Sequence, residues 1–379
     1  MKSASNEKLE IVMLGHKRVP SREGGIEVVV EELSTRMVAL GHKVICYNRS
    51  GHHVSGNEYD SDTIKEYKGI VLKKVITINK KGLAAVTSSL FGAIKAAFSK
   101  CDVVHFHAEG PCAMIWIPKL FRKRCIATIH GLDHQRAKWG KFASSYIMLG
   151  EKNAVRYADE IIVLSKNVQK YFFETYGRET KFIANGVNRP VLIDADLIKT
   201  KYGLEKNSYI LYLGRLVPEK GVKYLIEAYK AIKTDKKLVI AGGSSDTDNY
   251  YNEIKELSKD NEMIIFTGFI QGKILSELYS NAYIYTLPSD IEGMPLSLLE
   301  AMSYGNCCLT SDINECVEVT KDYAVTFKKS DINDLASKLQ YLCSDINIVN
   351  QYKSNAADYI CSCYNWDSIV KDTLKLYEG

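Results

Sequence analysis

Short apolar runs alternate with longer amphipathic segments along most of the chain. Apolar, β-branched runs of this length are typical of buried strands, and the segments between them have the apolar spacing of helices. We predict strands at residues 9–15, 43–50, 69–76, 102–107, 125–130, 160–165, 182–188, 209–216, 237–243, 263–269, 282–289 and 306–312. We predict helices at residues 28–40, 83–98, 222–232, 250–258 and 361–379. Strands separated by helices indicate parallel sheets, so the pattern predicts an α/β fold.

The α/β alternation is interrupted near residues 186–190 and then starts again. A chain of 379 residues is too long for one typical core, so we predict two doubly wound domains. We place the first domain at residues 1–187, the second at 188–360 and a terminal helix at 361–379. Ligands of such sheets bind at the carboxyl ends of the strands, and the loops discussed next follow strands there.

The stretch SDIEGMPLSLLEAMSYG carries two carboxylates around a predicted helix start. Pro295 suits the first turn of a helix, so Glu292 lies before the helix and Glu300 one to two turns inside it. Amides near Met294 and Leu296 would point out of the helix N-terminus, which favours an anion. A carboxylate at Glu300 could accept hydrogen bonds from two neighbouring hydroxyls. An anion beside a diol is what a nucleotide presents, although glutamates near a helix start also simply favour the helix dipole.

A cationic loop, LGRLVPEKG, follows the first predicted strand of the second half. Arg215 and Lys220 in this loop could hold a diphosphate, with arginine as the bidentate partner. The alternative is a surface loop with solvated charges. The cationic loop and the two-glutamate stretch both follow strands assigned to one sheet, which favours a common anion site.

The first half offers two further loops at strand ends. In GHKRVPSREGGIE, Gly24 and Gly25 lead into a helix, and glycines let a backbone approach a phosphate closely. The spacing is not the GxGxxG of a dinucleotide fingerprint, and an ordinary turn explains two glycines equally well. His130 ends its strand in TIHGLD, where an α/β protein displays polar residues, although a lone histidine is more often structural.

Composition excludes several classes of protein. Hydrophobic residues make up 46% and charged residues 25% of the chain, which is ordinary for a globular protein. No apolar run reaches 18 residues and the N-terminus MKSASNEKLE is polar, so we expect neither a transmembrane helix nor a signal peptide. The ten cysteines are scattered without CxxC pairs or Cys/His ligand spacing, which indicates free thiols in a reducing cytosol.

Charge is distributed unevenly around a net value of +5. Residues 1–187 carry 29 Lys and Arg against 18 Asp and Glu, and residues 188–379 carry 21 against 27. The basic first half suggests an anionic partner, and a solvated basic surface without a partner is the equally simple alternative.

Taken together, LGRLVPEKG, IAGG, FTGF and SDIEGMPLSLLEAMSYG resemble the carboxyl half of retaining, GT-B-type glycosyltransferases of family 4. The E-x7-E pattern of that family falls on Glu292 and Glu300. HFHAEGP and TIHGLD are similar to the amino half of the same family, and residues 15–44 resemble its bacterial polysaccharide rhamnosyltransferases. The resemblance covers nearly the whole chain. It implies two Rossmann-like domains facing a central cleft, with a terminal helix that crosses back to the first domain.

The resemblance also implies a role for each candidate residue. Glu300 would bind the ribose of the donor, and Arg215 and Lys220 would bind its diphosphate. The helix start at Met294, Pro295 and Leu296 would also hold the donor. Gly24 and Gly25 would form a loop against the phosphates. His130 would touch the donor sugar, and Glu292 would face the transferring sugar. A retaining transfer needs a carboxylate nucleophile, for which Glu292 is the candidate, or a front-face attack, towards which the family leans. The sequence leaves both open.

No metal or cofactor is expected in this chemistry, because Arg215 and Lys220 would do the work of a cation. The DxD-like string at residues 246–248 is interpreted as a turn. The expected partners are a nucleotide-diphosphate sugar, with dTDP-rhamnose as the leading candidate, and a glycan or lipid-linked saccharide acceptor. No nucleic acid is expected.

Two basic clusters, KLFRKR at 119–124 and RAKWGK at 136–141, each include an aromatic residue, which suits a membrane interface. We therefore expect a cytoplasmic protein that contacts the inner face of the cell membrane peripherally, with Arg122, Lys123 and Arg124 on the membrane and acceptor side. Two alternatives stay open at this point, a nucleotide-sugar epimerase of the same architecture and a non-catalytic nucleotide-sugar-binding subunit.

Overall fold

The computed structural model describes residues 8–51, 64–80, 82–135, 140–243 and 248–379. The chain forms two compact units, the first made of Met1–Asn185 with Trp366–Gly379 and the second of Gly186–Asn365. Each unit contains one sheet with helices around it. The predicted α/β fold with two Rossmann-like parallel sheets is therefore confirmed.

The first unit is built on an eight-stranded sheet in the order β3-β4-β2-β1-β5-β6-β7-β8. All neighbours in this sheet pair in parallel except β3 and β4. Its strands are β1 (Glu10–Leu14), β2 (Lys43–Arg49), β3 (Glu66–Tyr67), β4 (Ile70–Val75), β5 (Val103–His107), β6 (Arg124–Ile129), β7 (Glu160–Val163) and β8 (Lys181–Phe182). Its helices are α1 (Gly25–Ala39), α2 (Leu83–Ala97), α3 (Glu109–Cys112), α4 (Trp116–Leu120), α5 (Lys141–Tyr157) and α6 (Lys166–Tyr176).

The second unit is built on a fully parallel six-stranded sheet in the order β11-β10-β9-β12-β13-β14. Its strands are β9 (Tyr209–Leu213), β10 (Lys237–Ala241), β11 (Ile264–Gly268), β12 (Ile284–Leu287), β13 (Cys307–Ser311) and β14 (Val325–Phe327). Its helices are α7 (Leu197–Tyr202), α8 (Val222–Ala231), α9 (Asp248–Ser258), α10 (Gly272–Asn281), α11 (Leu296–Ser303), α12 (Asn314–Thr320), α13 (Ile332–Ser344) and α14 (Ile346–Cys363). Its largest apolar core lies on one face of the sheet, where side chains such as Ile210, Leu238 and Leu309 pack with residues of α8 and α13.

The last helix, α15 (Trp366–Glu378), belongs to the first unit. Its Tyr377 hydroxyl lies 2.6 Å from Nδ1 of buried His105, and Arg36 forms an ion pair with its Asp367 at 2.9 Å. Trp366 and Tyr377 are both 3% exposed, so this helix contributes to the core of the first unit.

Two predicted elements differ from the structure. The predicted strand at 182–188 is reduced to β8, because the chain after Phe182 leaves the sheet towards Asn185 and Gly186. The predicted helix at 361–379 is two helices, since the chain turns at Tyr364 and Asn365 between α14 and α15. Residues 361–363 are therefore the end of a helix of the second unit.

None of the helices in the described part of the chain is both long enough and apolar enough to cross a membrane. The ten cysteines are unpaired thiols, seven of them buried.

Candidate functional site

The carboxyl ends of β9, β10 and β11 lie against one another through backbone contacts. Gly214 N donates to Ala241 O at 3.0 Å, and Gly242 N donates to Gly268 O at 2.9 Å. A Cβ placed on Gly242, whose φ is +149°, would lie 1.8 Å from Gly214 O. Only glycine allows this approach, so the IAGG motif fixes the start of the cationic loop.

The cationic loop is then held against the loop that follows β12. It forms a turn of 3-10 helix at Pro218–Lys220, which ends at Gly221 with a φ of +66°. A Cβ on Gly221 would lie 1.9 Å from Pro288 O, and Asp290 N donates to Glu219 O at 2.9 Å. The two motifs that the sequence placed at one sheet edge are therefore in direct contact.

Lys220 and Glu292 form an ion pair at this contact, in which Lys220 Nζ donates to Glu292 Oε1. The lysine side chain is 15% exposed and the glutamate side chain 7% exposed. An ion pair withdrawn from water to this extent is strongly destabilised when one partner is removed, because the other charge stays buried. Both residues stand in motifs singled out from the sequence, where separate roles are expected for them, and the motifs gave no sign that the two side chains pair.

Arg215 lies five residues before Lys220 in the same loop and is partly exposed. Its carbonyl oxygen accepts from the Tyr212 hydroxyl at 3.0 Å and from Val217 N at 3.1 Å, which fixes the backbone beneath the side chain. The structure records no ion pair between its guanidinium and any other described residue. The side chain is therefore available to an external anion.

The start of α11 lies one residue later than the sequence indicated. Pro295 is the residue that precedes the first helical residue, Leu296, so proline stands at the helix N-cap rather than in its first turn. Met294, two residues before Leu296, is 8% exposed. Helix amides at Leu296 and Ser297 have no partner within α11, which is general for a helix start, and they can bind an anion.

Glu300 is the fifth residue of α11 and is partly exposed. Its Oε2 accepts from the Tyr279 hydroxyl at 3.2 Å, and the same hydroxyl lies 3.3 Å from Ser297 O. Tyr285 in turn donates to Ser297 Oγ at 2.8 Å. Two buried tyrosines thus support the helix and orient Glu300, a feature that the sequence analysis missed because the tyrosines read as core residues.

Further polar residues near this site were not predicted from the sequence. Glu219 is 6% exposed, and neither of its carboxylate oxygens forms a hydrogen bond. Asp290 accepts from the Tyr224 hydroxyl at 3.2 Å and from Ser330 Oγ at 2.8 Å. Glu219 stands next to Lys220 in PEKG, and Asp290 stands two residues before Glu292. Their position beside the candidate residues is the feature of the sequence that could have identified them.

In the first unit, Gly24 is the N-cap of α1 and Gly25 is its first residue. A Cβ on Gly24 would lie 2.7 Å from Oε2 of Glu27, a buried residue whose Oε1 accepts from Lys17 N at 2.8 Å. Gly24 therefore leaves room for a glutamate that ties the preceding loop to the helix. The helix begins three residues earlier than predicted.

His130 follows β6 and lies beside two further histidines. Its Nε2 is 3.1 Å from His107 Nδ1, and the ring of His107 stacks on that of His105 with centroids 4.2 Å apart. Burial lowers the pKa of His107 well below its usual value, so this ring is neutral. Since His107 Nε2 is buried without a hydrogen bond, the single N–H is best placed on Nδ1, where it donates to His130. His130 is thus held by a buried partner that the sequence analysis did not single out.

The basic cluster 119–124 lies where α4 leads into β6, at the amino end of that strand. Lys123 Nζ donates to Ser99 O and Cys101 O at 2.8 and 2.9 Å, and Arg124 Nε donates to Leu376 O at 2.7 Å. Arg122 is exposed. Lys123 and Arg124 therefore have structural roles. Residues 136–139 of the other cluster and 246–247 of the DxD-like string lie outside the described residues.

Two protein families match the chain. Residues 23–189 match the family described as Glycosyltransferase Family 4, and residues 194–359 match the family described as Glycosyl transferases group 1. The chain is a glycosyltransferase. It transfers a sugar from a nucleotide-sugar donor, and this transferase activity decides against the epimerase and the non-catalytic subunit.

Curated relatives match the glycosyltransferase over most of their length. An uncharacterized glycosyltransferase of Methanocaldococcus jannaschii is 25% identical and covers 98% of both chains. N,N'-diacetylbacillosaminyl-diphospho-undecaprenol alpha-1,3-N-acetylgalactosaminyltransferase of Campylobacter jejuni is 26% identical over 96% of this chain and 93% of its own. UDP-Gal:alpha-D-GlcNAc-diphosphoundecaprenol alpha-1,3-galactosyltransferase of Escherichia coli is 26% identical over 84% of each.

Solved structures share the fold of the glycosyltransferase. Sucrose-phosphate synthase from Thermosynechococcus elongatus superposes with a TM-score of 0.82 at 20% identity, covering 98% of both chains. HepE from Anabaena, in complex with UDP and glucose, superposes with a TM-score of 0.80 at 15% identity, covering 97% of this chain and 98% of its own. The predicted GT-B architecture is thereby confirmed.

Proposed function

We propose that this glycosyltransferase is a retaining enzyme that moves a sugar from a nucleoside-diphosphate donor to a lipid-linked saccharide in bacterial surface polysaccharide synthesis. Relatives from Campylobacter jejuni and Escherichia coli are named for diphospho-undecaprenol saccharides, and another from Staphylococcus aureus is named for capsular polysaccharide biosynthesis. These names support a lipid diphosphate acceptor. The basic first half of the chain agrees with an anionic acceptor.

The observation that carries the proposal is the contact between the cationic loop and the loop before α11. It brings Lys220 to Glu292 at the carboxyl ends of β9 and β12, close to a helix start and to Arg215. A departing nucleoside diphosphate carries about two negative charges, and preplaced cations and helix amides stabilise that charge best as it develops. Glu300, the fifth residue of α11, would hold the ribose hydroxyls.

The ion pair with Glu292 means that the charge of Lys220 is balanced differently without and with a bound donor. Without donor its charge is balanced by Glu292, which keeps a nearly buried cation stable. When a diphosphate binds, Lys220 can share its three donors between the phosphate and Glu292. Glu292 would then both hold the lysine in place and face the transferring sugar.

The front-face route fits this arrangement better than a covalent intermediate. Glu292 Oε1 accepts from Lys220, which makes the carboxylate a weaker nucleophile. In the front-face reaction the acceptor hydroxyl attacks the anomeric carbon from the side of the leaving group. The bond from that carbon to the phosphate oxygen breaks with its electron pair, and the departing phosphate takes the hydroxyl proton. Arg215 and Lys220 stabilise the charge, so added Mg²⁺ or Mn²⁺ should not raise turnover.

The transferred sugar is proposed as rhamnose on the resemblance of residues 15–44, with dTDP as the carrier. The named relatives instead transfer galactose and N-acetylgalactosamine, and HepE is solved with UDP-glucose. UDP-hexoses and UDP-N-acetylhexosamines are therefore the donors to compare with dTDP-rhamnose.

The test is a panel of these donors assayed with undecaprenyl-diphosphate saccharides. One donor should give an acceptor product heavier by one sugar residue, together with released nucleoside diphosphate in equal amount. Lys223→Ala, which removes an exposed lysine from α8, should leave the rate unchanged, whereas Arg215→Ala should abolish most of it. Release of nucleoside diphosphate that does not depend on any lipid-linked acceptor would overturn the proposed acceptor class. NMR of the product shows the anomeric configuration of the transferred sugar, and an inverted configuration would overturn the proposed retaining mechanism.

A further inference from the structure

Two buried carboxylates and a histidine, none of which has a role assigned in the reaction, meet in the first unit. They are Glu109 on α3, Glu151 on α5 and His134 in the turn Asp133–Gln135. Both glutamate side chains are 0% exposed, and the histidine side chain is 15% exposed. Among the described residues, no lysine or arginine pairs with either glutamate.

One atom of each of these three residues is buried without a hydrogen bond. The atoms are Glu109 Oε1, Glu151 Oε2 and His134 Nδ1, and they lie within 4.8 Å of one another. His134 Nδ1 is 3.7 Å from Glu109 Oε1 and 3.4 Å from Glu151 Oε2. Metal–ligand bonds of ~2.0–2.1 Å in a tetrahedron imply ligand–ligand distances of about 3.4 Å, so these separations suit a shared ion better than a direct hydrogen bond.

The remaining carboxylate oxygens are fixed by the protein. Glu109 Oε2 accepts from Asp133 N at 2.8 Å. Glu151 Oε1 accepts from the Tyr171 hydroxyl at 3.0 Å and from the Tyr176 hydroxyl. Each carboxylate thus has one oxygen held by hydrogen bonds and one turned towards the common point, which is how outer hydrogen bonds orient metal ligands.

The backbone is also built to bring the two glutamates together. A Cβ on Gly150 would lie 2.0 Å from Glu109 O, so only glycine lets α5 approach α3 this closely. Glu151 follows that glycine directly. Ala108, just before Glu109, has a φ of +76°, which turns the chain sharply between β5 and α3.

We propose that Glu109, His134 and Glu151 bind one divalent transition-metal ion, with zinc as the best-fitting class, and that a water molecule completes its coordination. Two carboxylates and one imidazole are ligands that zinc and its first-row neighbours accept, and a divalent ion cancels the two buried negative charges. The ion would tie the turn that follows His130 to α3 and α5. This site is distinct from the donor chemistry, which the proposal leaves free of metal.

The competing occupant is a proton. Burial and the neighbouring carboxylate raise the pKa of Glu109 to about 10, so a proton shared between the two glutamates could also relieve their repulsion. A shared proton would leave His134 Nδ1 3.4 Å from Glu151 Oε2, which is longer than an ordinary hydrogen bond, and this is why the structure favours the ion. A site built for a metal ion should bind added Zn²⁺ tightly, whereas a site that only shares a proton should not.

The experiment measures Zn²⁺ binding to the full chain by titration calorimetry after treatment with a chelator and dialysis. Wild type should bind one Zn²⁺ per chain, and Glu109→Gln and His134→Gln should each lose more than about 100-fold in affinity, since even changes outside the ligand shell cost 10–100-fold. Glutamine at position 109 can still accept from Asp133 N, so this variant should fold. Glu174→Gln, which changes an exposed glutamate on α6, is the matched control and should bind as wild type does.

Two further measurements test whether the ion binds at these three residues and not elsewhere. All three tryptophans lie in the first unit, so their fluorescence should report stabilisation of that unit by Zn²⁺ in wild type and not in Glu109→Gln. Co²⁺ in the site should show no thiolate charge-transfer bands, which would instead indicate binding at the exposed Cys363. Absence of Zn²⁺ binding, unchanged binding in Glu109→Gln or thiolate bands would each overturn the proposal. Binding of nucleoside diphosphate should be equal in wild type and Glu109→Gln, so the outcome is independent of the proposed transfer reaction.

Discussion

Arg215 and Lys220 stand in one loop but in different electrostatic states. Lys220 is nearly buried and paired with Glu292, whereas Arg215 is partly exposed and forms no recorded ion pair with another described residue. An unpaired guanidinium at a diphosphate site can form two parallel hydrogen bonds to phosphate oxygens. Arg215 should therefore contribute more to stabilising the leaving group, and Lys220 more to the architecture of the site.

Replacing Arg215 with alanine should lower kcat by about 100-fold or more and change the KM for the donor much less. The reason is that the leaving group carries its full charge only as the bond breaks, so the lost stabilisation falls mainly on the transition state. Steady-state kinetics with the donor found in the panel would measure the effect. Arg215→Lys should recover only part of the rate, because lysine lacks the planar fork. Normal kcat with weaker donor binding alone would show that Arg215 is a binding residue and not a catalytic one.

Replacing Glu300 with alanine should weaken the binding of nucleoside diphosphate by ~2 kcal/mol, since hydrogen bonds to a charged group are worth about 1.5–3 kcal/mol. Calorimetry with UDP and dTDP measures the loss directly. Tyr279→Phe removes the hydroxyl that donates to Glu300 and leaves the carboxylate in place, so its effect should be several-fold smaller. Equal affinity in Glu300→Ala and wild type would contradict the ribose contact.

At the scale of helices and strands, the sequence predicted most strand positions to within a residue or two. The reason is that buried parallel strands need continuous apolar runs, such as 102–107 for β5 and 237–243 for β10. The prediction failed where tertiary contacts decide the outcome. FIANGVN is apolar enough for a strand, but β8 is the edge strand and pairs only with β7, and the last backbone hydrogen bond to β7 is the one from Ile183 N to Val163 O at 3.2 Å. The break between α14 and α15 lacks glycine or proline, and its signal is the single Asn365, a residue type that is favoured just before a helix.

The hydrogen bonds of β5 and α15 make the first unit sensitive to acid. His105 donates or accepts at both ring nitrogens, to Tyr377 and Thr128, and burial lowers its pKa to about 3. Burial likewise lowers the pKa of His16 to about 4. Both histidines are neutral in the folded state, whereas in the unfolded chain they take up protons near pH 6.5. Stability from these groups is therefore fully present above pH 6.5 and is lost as the pH falls from 6.5 towards 3–4.

Urea unfolding followed by tryptophan fluorescence should show this loss between pH 7 and pH 4, because the three tryptophans lie in the first unit. In His105→Gln the unfolding free energy should fall less steeply over the same range, whatever its value at pH 7. The slope is the readout, so general destabilisation by the substitution does not affect the conclusion. Identical slopes in the variant and wild type would mean that His105 is not responsible.

At the scale of the whole chain, the sequence located the candidate residues but not their partners. Glu292, Glu300, Arg215 and Lys220 stand in recognisable motifs, whereas the Lys220–Glu292 ion pair depends on the contact between loops 72 residues apart. The proposed zinc ligands were invisible for the same reason, since they come together only in the folded chain, where Gly150 lets α5 approach α3 closely. The excess of basic residues in the first half of the chain, by contrast, can be counted from the sequence alone. It suggests that the surface of the first unit contacts an anionic partner.

An exposed patch on the first unit combines apolar and basic side chains. Phe98, Leu120 and Phe121 are 74%, 71% and 47% exposed, and the two phenylalanine rings lie 4.7 Å apart. Arg122 is exposed beside them. Amphipathic surfaces of this kind bind at lipid headgroups, and each basic residue near an anionic membrane contributes about 1 kcal/mol, screened by salt. A lipid-linked acceptor would require such a contact.

We therefore expect reversible binding to anionic vesicles that weakens as salt is raised, measured by co-sedimentation. Lys123 and Arg124 donate to backbone carbonyls, so removing them would damage the fold, and the test variant is Leu120→Ser, Phe121→Ser and Arg122→Gln together. This variant should lose most vesicle binding and keep the affinity for nucleoside diphosphate. Phe173→Ser with Lys170→Gln removes an exposed phenylalanine and an exposed lysine from α6, and it should bind vesicles as wild type does. Equal recovery of wild type on anionic and neutral vesicles at low salt would show that the basic charge of the first half only keeps the chain in solution.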